Sequence, residues 1–336
     1  MISWFDLNGS LLRIDAADPE LLRPLLIYLD ELQTDPRGPA AFTFIVERGS
    51  PMSEPASARL LFEGPLPEAP TSRLYAGVDN RSLIIPDRLS MEYSIPDRIA
   101  RFRVAAGDEN LVGGTAAIYA IHAALFATGQ TLVHAAALRL PDRNEALVLF
   151  APSGAGKTTT SLALALQGFG LLTDDATVLA AGSGSRGRTN VWGLPRPPKV
   201  HQRTAQMLPA IGGLLGSKWT PEGEQSVSIE GLKSVIEVIP GRAYPLCALV
   251  LLGERVTGPH RLRPMRKADL FMHFATDNVT RSPEGVLHEE LSRFQKFIGL
   301  VATTPAYQLN VGSDLSTLGE MVAAELGGAG QAILSA

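Results

Sequence analysis

The sequence predicts an α/β protein in two parts, a β-rich α+β unit over residues 1–108 and a larger α/β layer domain over 109–336. Three observations lead there. Strand and helix patterns alternate from residue 131 onward, the pattern of helices layered on a sheet. One stretch, ALVLFAPSGAGKTTTSLALALQGFGLLTDDATVLA over 146–180, reads as an apolar strand, a glycine-rich turn, a short helix and a second apolar run broken by two aspartates. Residues 1–105 instead offer short strands between turns heavy in Pro, Gly, Asp and Asn.

A chain of 336 residues is long enough to bury a large core and to divide into two domains. A net charge of -4 gives no overall attraction to nucleic acid or to an anionic membrane, so neither is expected as a partner. The single cysteine, Cys247, excludes an internal disulfide framework. With no secretory pattern at the N-terminus, a reducing cytoplasm is the expected location. The most apolar window, 111–139, is interrupted by Gly113, Gly114, His122, Gln130 and His134, which argues against a membrane span.

In the first part, helical spacing covers 21–32, and the segments 41–49, 58–64, 81–87 and 98–106 read as strands. A helix over 111–128 follows, with His122 on its apolar run, either a satisfied core histidine or a catalytic one. Residues 131–151 read as a hairpin whose second strand runs straight into the glycine loop. After the flexible turn 181–190, the prolines of 191–200 forbid helix. Residues 201–216 open as a helix, and 234–253 read as two strands around Pro240-Gly241. An amphipathic helix over 283–303 carries Pro283 in its first turn. A strand and a helix opened by Ser313 or Asp314 close the chain.

The chemistry concentrates in the glycine loop. A-P-S-G-A-G-K-T, Ala151 to Thr158, matches the phosphate-loop pattern G-x-x-x-x-G-K-[ST] except that alanine stands at the first glycine. Such a loop turns backbone N–H groups around phosphate oxygens at a helix N-terminus. Pro152, Ser153, Gly154, Ala155, Gly156, Lys157, Thr158 and Thr159 are the expected nucleotide-binding residues. Gly154 and Gly156 permit positive φ, Lys157 brings charge to the β/γ-phosphates, and the Thr158 hydroxyl is a candidate Mg²⁺ ligand. One helix later, Asp174-Asp175 should end a strand beside the loop strand. Neighbouring side chains of an extended chain point to opposite sides, so one carboxylate can hold Mg²⁺ while the other accepts a proton from a hydroxyl. The alternative is an aspartate pair that caps a turn.

The stretch H-A-A-A…PSGAGKT…G-F-G-L-L-T-D-D-A-T-V resembles HPr kinase/phosphorylase and, more closely, the HPr-kinase-related proteins found with peptide-modification systems. The resemblance is strong over 131–180 and implies an α/β P-loop domain of the HPr-kinase/PEP-carboxykinase-like kind. It implies that Asp174 is the catalytic base, that Asp175 joins Thr158 at the metal, and that His134 is an auxiliary group near the aspartates, with core packing as its alternative. It also makes Arg242 a candidate for stabilising the transferred phosphoryl group, with a solvated turn as the alternative. The family's E-x-R-G-L-G signature has no counterpart: the comparable segment reads VWGLPRPPKVHQR, which leaves Arg196 and Lys199 as nucleotide or acceptor contacts or as solvated charges.

These readings converge on a serine-kinase-like phosphotransferase that uses ATP and Mg²⁺ and takes a peptide or protein hydroxyl as acceptor. A small-molecule alcohol kinase and a non-catalytic ATP-binding module are the alternatives. A homo-oligomer is left open.

Overall fold

The computed structural model describes residues 1–55, 57–152, 154–182, 188–279, 281–282, 285–286 and 288–333. Ser153, Pro283 and residues 183–187 of the expected turn 181–190 lie outside these residues. The chain divides into two compact units, Met1–Thr131 with Arg281–Gly285, and Leu132–Thr280 with Val286–Ala336.

The first unit is built on one mixed sheet. Its strands are β1 (Ile2–Asp6), β2 (Leu11–Ala16), β3 (Phe42–Arg48), β4 (Arg59–Leu66), β5 (Ala69–Ala76), β6 (Asn80–Ile85), β7 (Leu89–Ser94) and β8 (Ile99–Val104), in the order β1-β2-β3-β8-β7-β6-β5-β4. β2 and β3 pair in parallel, so the connection between them must cross over, and helix α1 (Pro19–Leu29) makes that crossing. Asp18 caps α1 by accepting from the Glu20 N–H, and Leu21, Leu22, Leu25 and Leu29 bury its inner face. The expected helix over 111–128 divides: a short 3-10 turn spans Glu109–Gly113 and helix α2 spans Thr115–Ala127. The backbone passes close to α1 there, because a Cβ on Gly113 would sit 2.5 Å from the Pro24 carbonyl oxygen. By length and composition Glu109–Ala127 is apolar enough to cross a bilayer. In the fold α2 buries Ala116, Ala117, Ala120, Ile121, Ala124 and Leu125.

The second unit is an α/β layer structure. Its strands begin with β9 (Thr131–His134), β10 (Ala136–Arg139), β11 (Ala146–Phe150), β12 (Gly170–Thr173), β13 (Ala176–Ala181) and β14 (Thr189–Gly193). They continue with β15 (Lys199–His201), β16 (Glu224–Ser226), β17 (Tyr244–Leu252), β18 (Arg261–Pro264) and β21 (Ala306–Asn310), while the short β19 (Arg281–Ser282) belongs to the segment counted with the first unit and β20 (Gly285–Val286) straddles the boundary. Helices α3 (Lys157–Ala165), α4 (Gln202–Met207), α5 (Pro209–Gly212), α6 (Ile229–Lys233), α7 (Lys267–Asn278), α8 (His288–Val301) and α9 (Leu318–Ile333) complete it.

The main sheet runs β12-β10-β11-β17-β14-β13-β9, with β21 beside β17 and β18 beyond it. β11, ALVLF, is buried along its whole length, and its residues alternate between two cores. Leu147 and Leu149 share one core with Leu162 and Leu164 of α3 and Leu318 and Val322 of α9. Val148 and Phe150 share the other with Phe274 of α7 and Phe297 and Val301 of α8.

Two features differ from expectation. The aspartate strand is not next to the loop strand: β10 lies between β11 and β12, because the hairpin partner of β11 occupies that edge. And 234–239 does not form a full strand. Leu171 takes a single bridge to Val238, its N–H donating to the Glu237 carbonyl at 2.8 Å while its own carbonyl accepts from Ile239 at 2.8 Å.

Since one residue separates β9 from β10 and two separate β12 from β13, each pair is one strand bent at a corner. The corners face each other: the Ala135 N–H donates to the Asp175 carbonyl, and the Thr177 hydroxyl to the Ala135 carbonyl. Gly193 lets β14 approach the second corner. A Cβ there would be driven into the Leu172 carbonyl oxygen and lie 2.5 Å from Thr173 Cβ. Replacing Gly193 by Ala is therefore expected to cost about 1–3 kcal/mol through overpacking against backbone, read as a lower denaturant midpoint with an unchanged slope. An unchanged midpoint would show that the corner has slack.

Candidate functional site

β11 ends at Phe150 and the chain turns through the glycine loop into α3. Gly154 and Gly156 hold φ of 76° and 96°, in the left-handed region where a side chain is strained. The Ala155 N–H closes the turn onto the Pro152 carbonyl at 3.0 Å. α3 then opens at Lys157, capped by Gly156 rather than by a side chain, so no side chain competes for its first N–H groups. Thr159 is buried and shares a hydroxyl–hydroxyl bond with Thr204 at 2.7 Å, which ties α3 to α4.

β12 is parallel to β11, since each is antiparallel to β10, so its C-terminal end comes out on the same side as the loop. There the Thr173 hydroxyl accepts from the Ala176 N–H at 3.1 Å and turns the corner. Asp174 and Asp175 leave the corner in different directions.

Asp174 is buried, and both its carboxylate oxygens face α3. Oδ2 accepts from the Thr158 hydroxyl at 2.7 Å and Oδ1 from the Ser161 hydroxyl at 2.5 Å. Asp175 is half-buried between Lys157, Arg196 and His134. Its Oδ1 lies 2.7 Å from His134 Nδ1 and 3.1 Å from Lys157 Nζ, and its Oδ2 accepts from Arg196 at 2.6 Å. Burial alone would raise the Asp175 carboxyl, but the hydrogen bond with His134 and the charges of Lys157, His134 and Arg196 outweigh it. The group is held well below the usual carboxylate range. Lys157 also donates to the Asp174 carbonyl at 2.6 Å.

His134 is not a core residue, since nearly half of its side chain is exposed. Its backbone N–H donates to Asn278 Oδ1 at 2.6 Å. With Nδ1 engaged on Asp175, Nε2 is left to accept a proton in the neutral ring.

His134, Lys157, Asp174 and Asp175 line one cavity of about 1050 Å³, with Pro152, Gly154, Ala155, Gly156, Thr158 and Thr159 along the loop side. Arg196, Lys199 and Arg203 line it too, as does Arg255. Its size is that of a small-molecule cleft. Thr158 and Asp174 form an all-oxygen donor pair at a helix N-terminus. This suits Mg²⁺, which takes one or two carboxylates and completes its shell with phosphate oxygens and water. No group of three or more His, Cys, Asp or Glu side chains able to hold a metal occurs among the described residues.

Two of the sequence candidates lie elsewhere. Arg242 is exposed and sits over the Tyr244 ring, 5.2 Å from its centroid, at the start of β17. The parallel register pairs Ala146 with Leu246 and Phe150 with Leu251, so Arg242 is at the end of the strand remote from the loop and does not line the cavity. His122 belongs to α2 in the first unit and is not a lining residue either. Sequence reasoning missed Ser161, whose only signal is its place one turn beyond Thr158. It also missed Arg255, whose neighbourhood is set by strand pairing alone.

No family model matches the chain, and no curated protein does. Among solved structures, the HPr(Ser) kinase/phosphatase from Coxiella burnetii is similar at 12% identity and a TM-score of 0.30, over 61% of this chain and 99% of that one.

Because the Asp175 carboxyl is lowered in the fold, its charge stabilises the protein above the ordinary carboxylate value of 3.8, and that contribution is lost as pH falls toward the folded value. The thermal midpoint of Asp175→Asn should fall below that of wild type at pH 7, with the gap closing below about pH 4. A gap that does not change with pH would show that the charge contributes nothing.

Proposed function

We propose that the chain is an ATP- and Mg²⁺-dependent phosphotransferase that moves the γ-phosphoryl group to a hydroxyl, with a peptide or protein serine or threonine as acceptor. The observation that carries this reading is the division of the aspartate pair: Asp174 bonds to the loop helix through Thr158 and Ser161, and Asp175 to His134. A simple nucleotide-binding module needs the first half only. A carboxylate-oriented histidine beside the cradle adds a proton acceptor.

The geometry favours exchanging the two aspartate roles that the sequence resemblance implies. Asp174, turned onto Thr158, would hold the metal ion with it. When bound, Mg²⁺ supplies charge neutralisation across the β- and γ-phosphates. Asp175 is held too acidic to be an effective base, because proton transfer is favoured when the acceptor's value lies near the working pH. Its bond to Nδ1 instead fixes the ring and leaves Nε2 toward solvent, as the orienting carboxylate does in a nucleophile–base–orienter set.

In this scheme the acceptor hydroxyl gives its proton to His134 Nε2. Its oxygen forms a bond to the γ-phosphorus as the bond from that phosphorus to the β–γ bridging oxygen breaks, and ADP leaves. Lys157 lies on Asp175 and on the Asp174 carbonyl, both within reach of the loop, so bound phosphate would compete for it. Its departure leaves Asp175 to His134 and Arg196. A small alcohol acceptor fits the same cradle; the peptide reading rests on the sequence resemblance.

The test uses ATP labelled at the γ-phosphate, a panel of seryl and threonyl peptides, and water as the fallback acceptor. Wild type should transfer label, and His134→Ala should lose about 10²-fold or more in rate while ADP affinity changes little. Absence of label on every acceptor, with intact ADP binding, would overturn the enzyme reading in favour of a binding module.

A further inference from the structure

In phosphoryl transfer the charge of the group in flight is spread over its three equatorial oxygens, and a guanidinium, with two parallel donors, is the side chain best shaped to hold them. The sequence offered Arg242, which lies at the wrong end of β17. The opposite end of the same strand offers another. β17 pairs in parallel with the loop strand β11, Leu251 opposite Phe150, so the residues leaving β17 emerge beside the glycine loop. The third of them is Arg255. One of its terminal nitrogens lies 3.6 Å from where a Cβ of Gly156 would stand.

The segment that presents it is pinned by its backbone. The Gly253 N–H donates to the Leu309 carbonyl at 2.9 Å and the Val256 N–H to the Val311 carbonyl at 3.0 Å. Asn310 Nδ2 donates to the Glu254 carbonyl at 2.9 Å. The side chains of Asn310 and Gln308 also reach this segment, their Nδ2 and Nε2 lying 2.7 and 2.9 Å from where a Cβ of Gly253 would stand. Arg255 itself is bound loosely. Its polar contact is to the Met207 thioether at 3.8 Å, a weak acceptor, and no carboxylate pairs with it among the described residues. Lys157 and Arg196, by contrast, are both paired with Asp175. The strand order thus sets the carboxylate corner on one flank of the loop, beyond β10, and Arg255 on the other, beside β17.

We propose that Arg255 is a catalytic residue that binds the oxygens of the γ-phosphoryl group and strengthens its hold as the group is transferred. This rests on the phosphotransfer reading. As the acceptor oxygen bonds to phosphorus and the bridging bond breaks, charge spreads over the three non-bridging oxygens. Arg255 takes two of them with N–H donors, and Lys157 follows the charge building on the departing ADP.

The experiment compares wild type with Arg255→Ala, Arg255→Lys and Arg242→Ala for affinity toward ADP, for trapping of ADP with aluminium fluoride as a planar phosphoryl mimic, and for rate of label transfer. Since Arg255 is exposed and its segment is held by backbone bonds, both variants should melt with wild type. Arg255→Ala should leave ADP affinity within about threefold but weaken trapping and slow transfer by about 10²-fold or more. Lysine should restore little of either, being a point charge without the fork, and Arg242→Ala should match wild type. If Arg255→Ala traps and transfers as wild type does, the assignment is overturned while the phosphotransfer reading stands. If wild type traps the mimic and Arg255→Ala does not, yet no hydroxyl is phosphorylated, the assignment stands and the reading of the acceptor falls. If wild type binds no ADP, both fall.

Discussion

The arrangement of the second unit depends on one contact, the buried Asp174 carboxylate against the two hydroxyls of α3. Thr158 and Ser161 lie three residues apart, hence on one face of the helix. Asp174 accepts from both, which fixes the rotation of α3 relative to the strand corner. A carboxylate removed from water must have its oxygens hydrogen-bonded or it destabilises the fold, so the helix cannot turn away without exposing that cost. Rotation of α3 is also what aims the loop N–H groups. The same bond therefore serves stability and site geometry.

From that constraint the placing of Asp175 follows. Asp174 and Asp175 form the bend between β12 and β13, and their carboxylates meet different partners. With Asp174 committed to α3, Asp175 must project to the side where β9 ends. That side carries His134 because β9 and β10 bend at Ala135, directly across from the aspartate corner. Two cations, Lys157 and Arg196, and the His134 ring then gather on one carboxylate, and together they outweigh its burial. Low proton affinity makes Asp175 a good orienting group and a poor base.

Much of this was legible in the chain itself. The glycine loop, Lys157, Thr158 and the aspartate pair announce themselves because backbone geometry dictates residue type at each place, and the structure brings them together with His134. Strand–helix alternation gave the layer class of the second unit. What failed did so for non-local reasons. The hairpin strand β10 inserted itself between β11 and β12, a choice made by pairing partners and invisible in either strand alone. Arg242 and Arg255 flank the same strand, and only the parallel register with β11 tells which end meets the loop. In the first unit, β1, β2, β5 and β7 escaped notice. β5 carries Pro70, which breaks the strand pattern, while β1 and β2 alternate clearly but are short and contain charged residues on their open face. Residues 234–239 had strand composition, but with only Leu171 to pair with they made a bridge.

The central claim is that the two aspartates face different partners, Asp174 the metal and Asp175 the histidine. Manganous ion in the presence of ADP, followed by the electron paramagnetic resonance of the free ion, tests it directly. Asp174→Asn should weaken nucleotide-dependent metal binding by about tenfold or more, and Asp175→Asn should leave it within about threefold. Metal binding lost in Asp175→Asn and retained in Asp174→Asn would contradict the account.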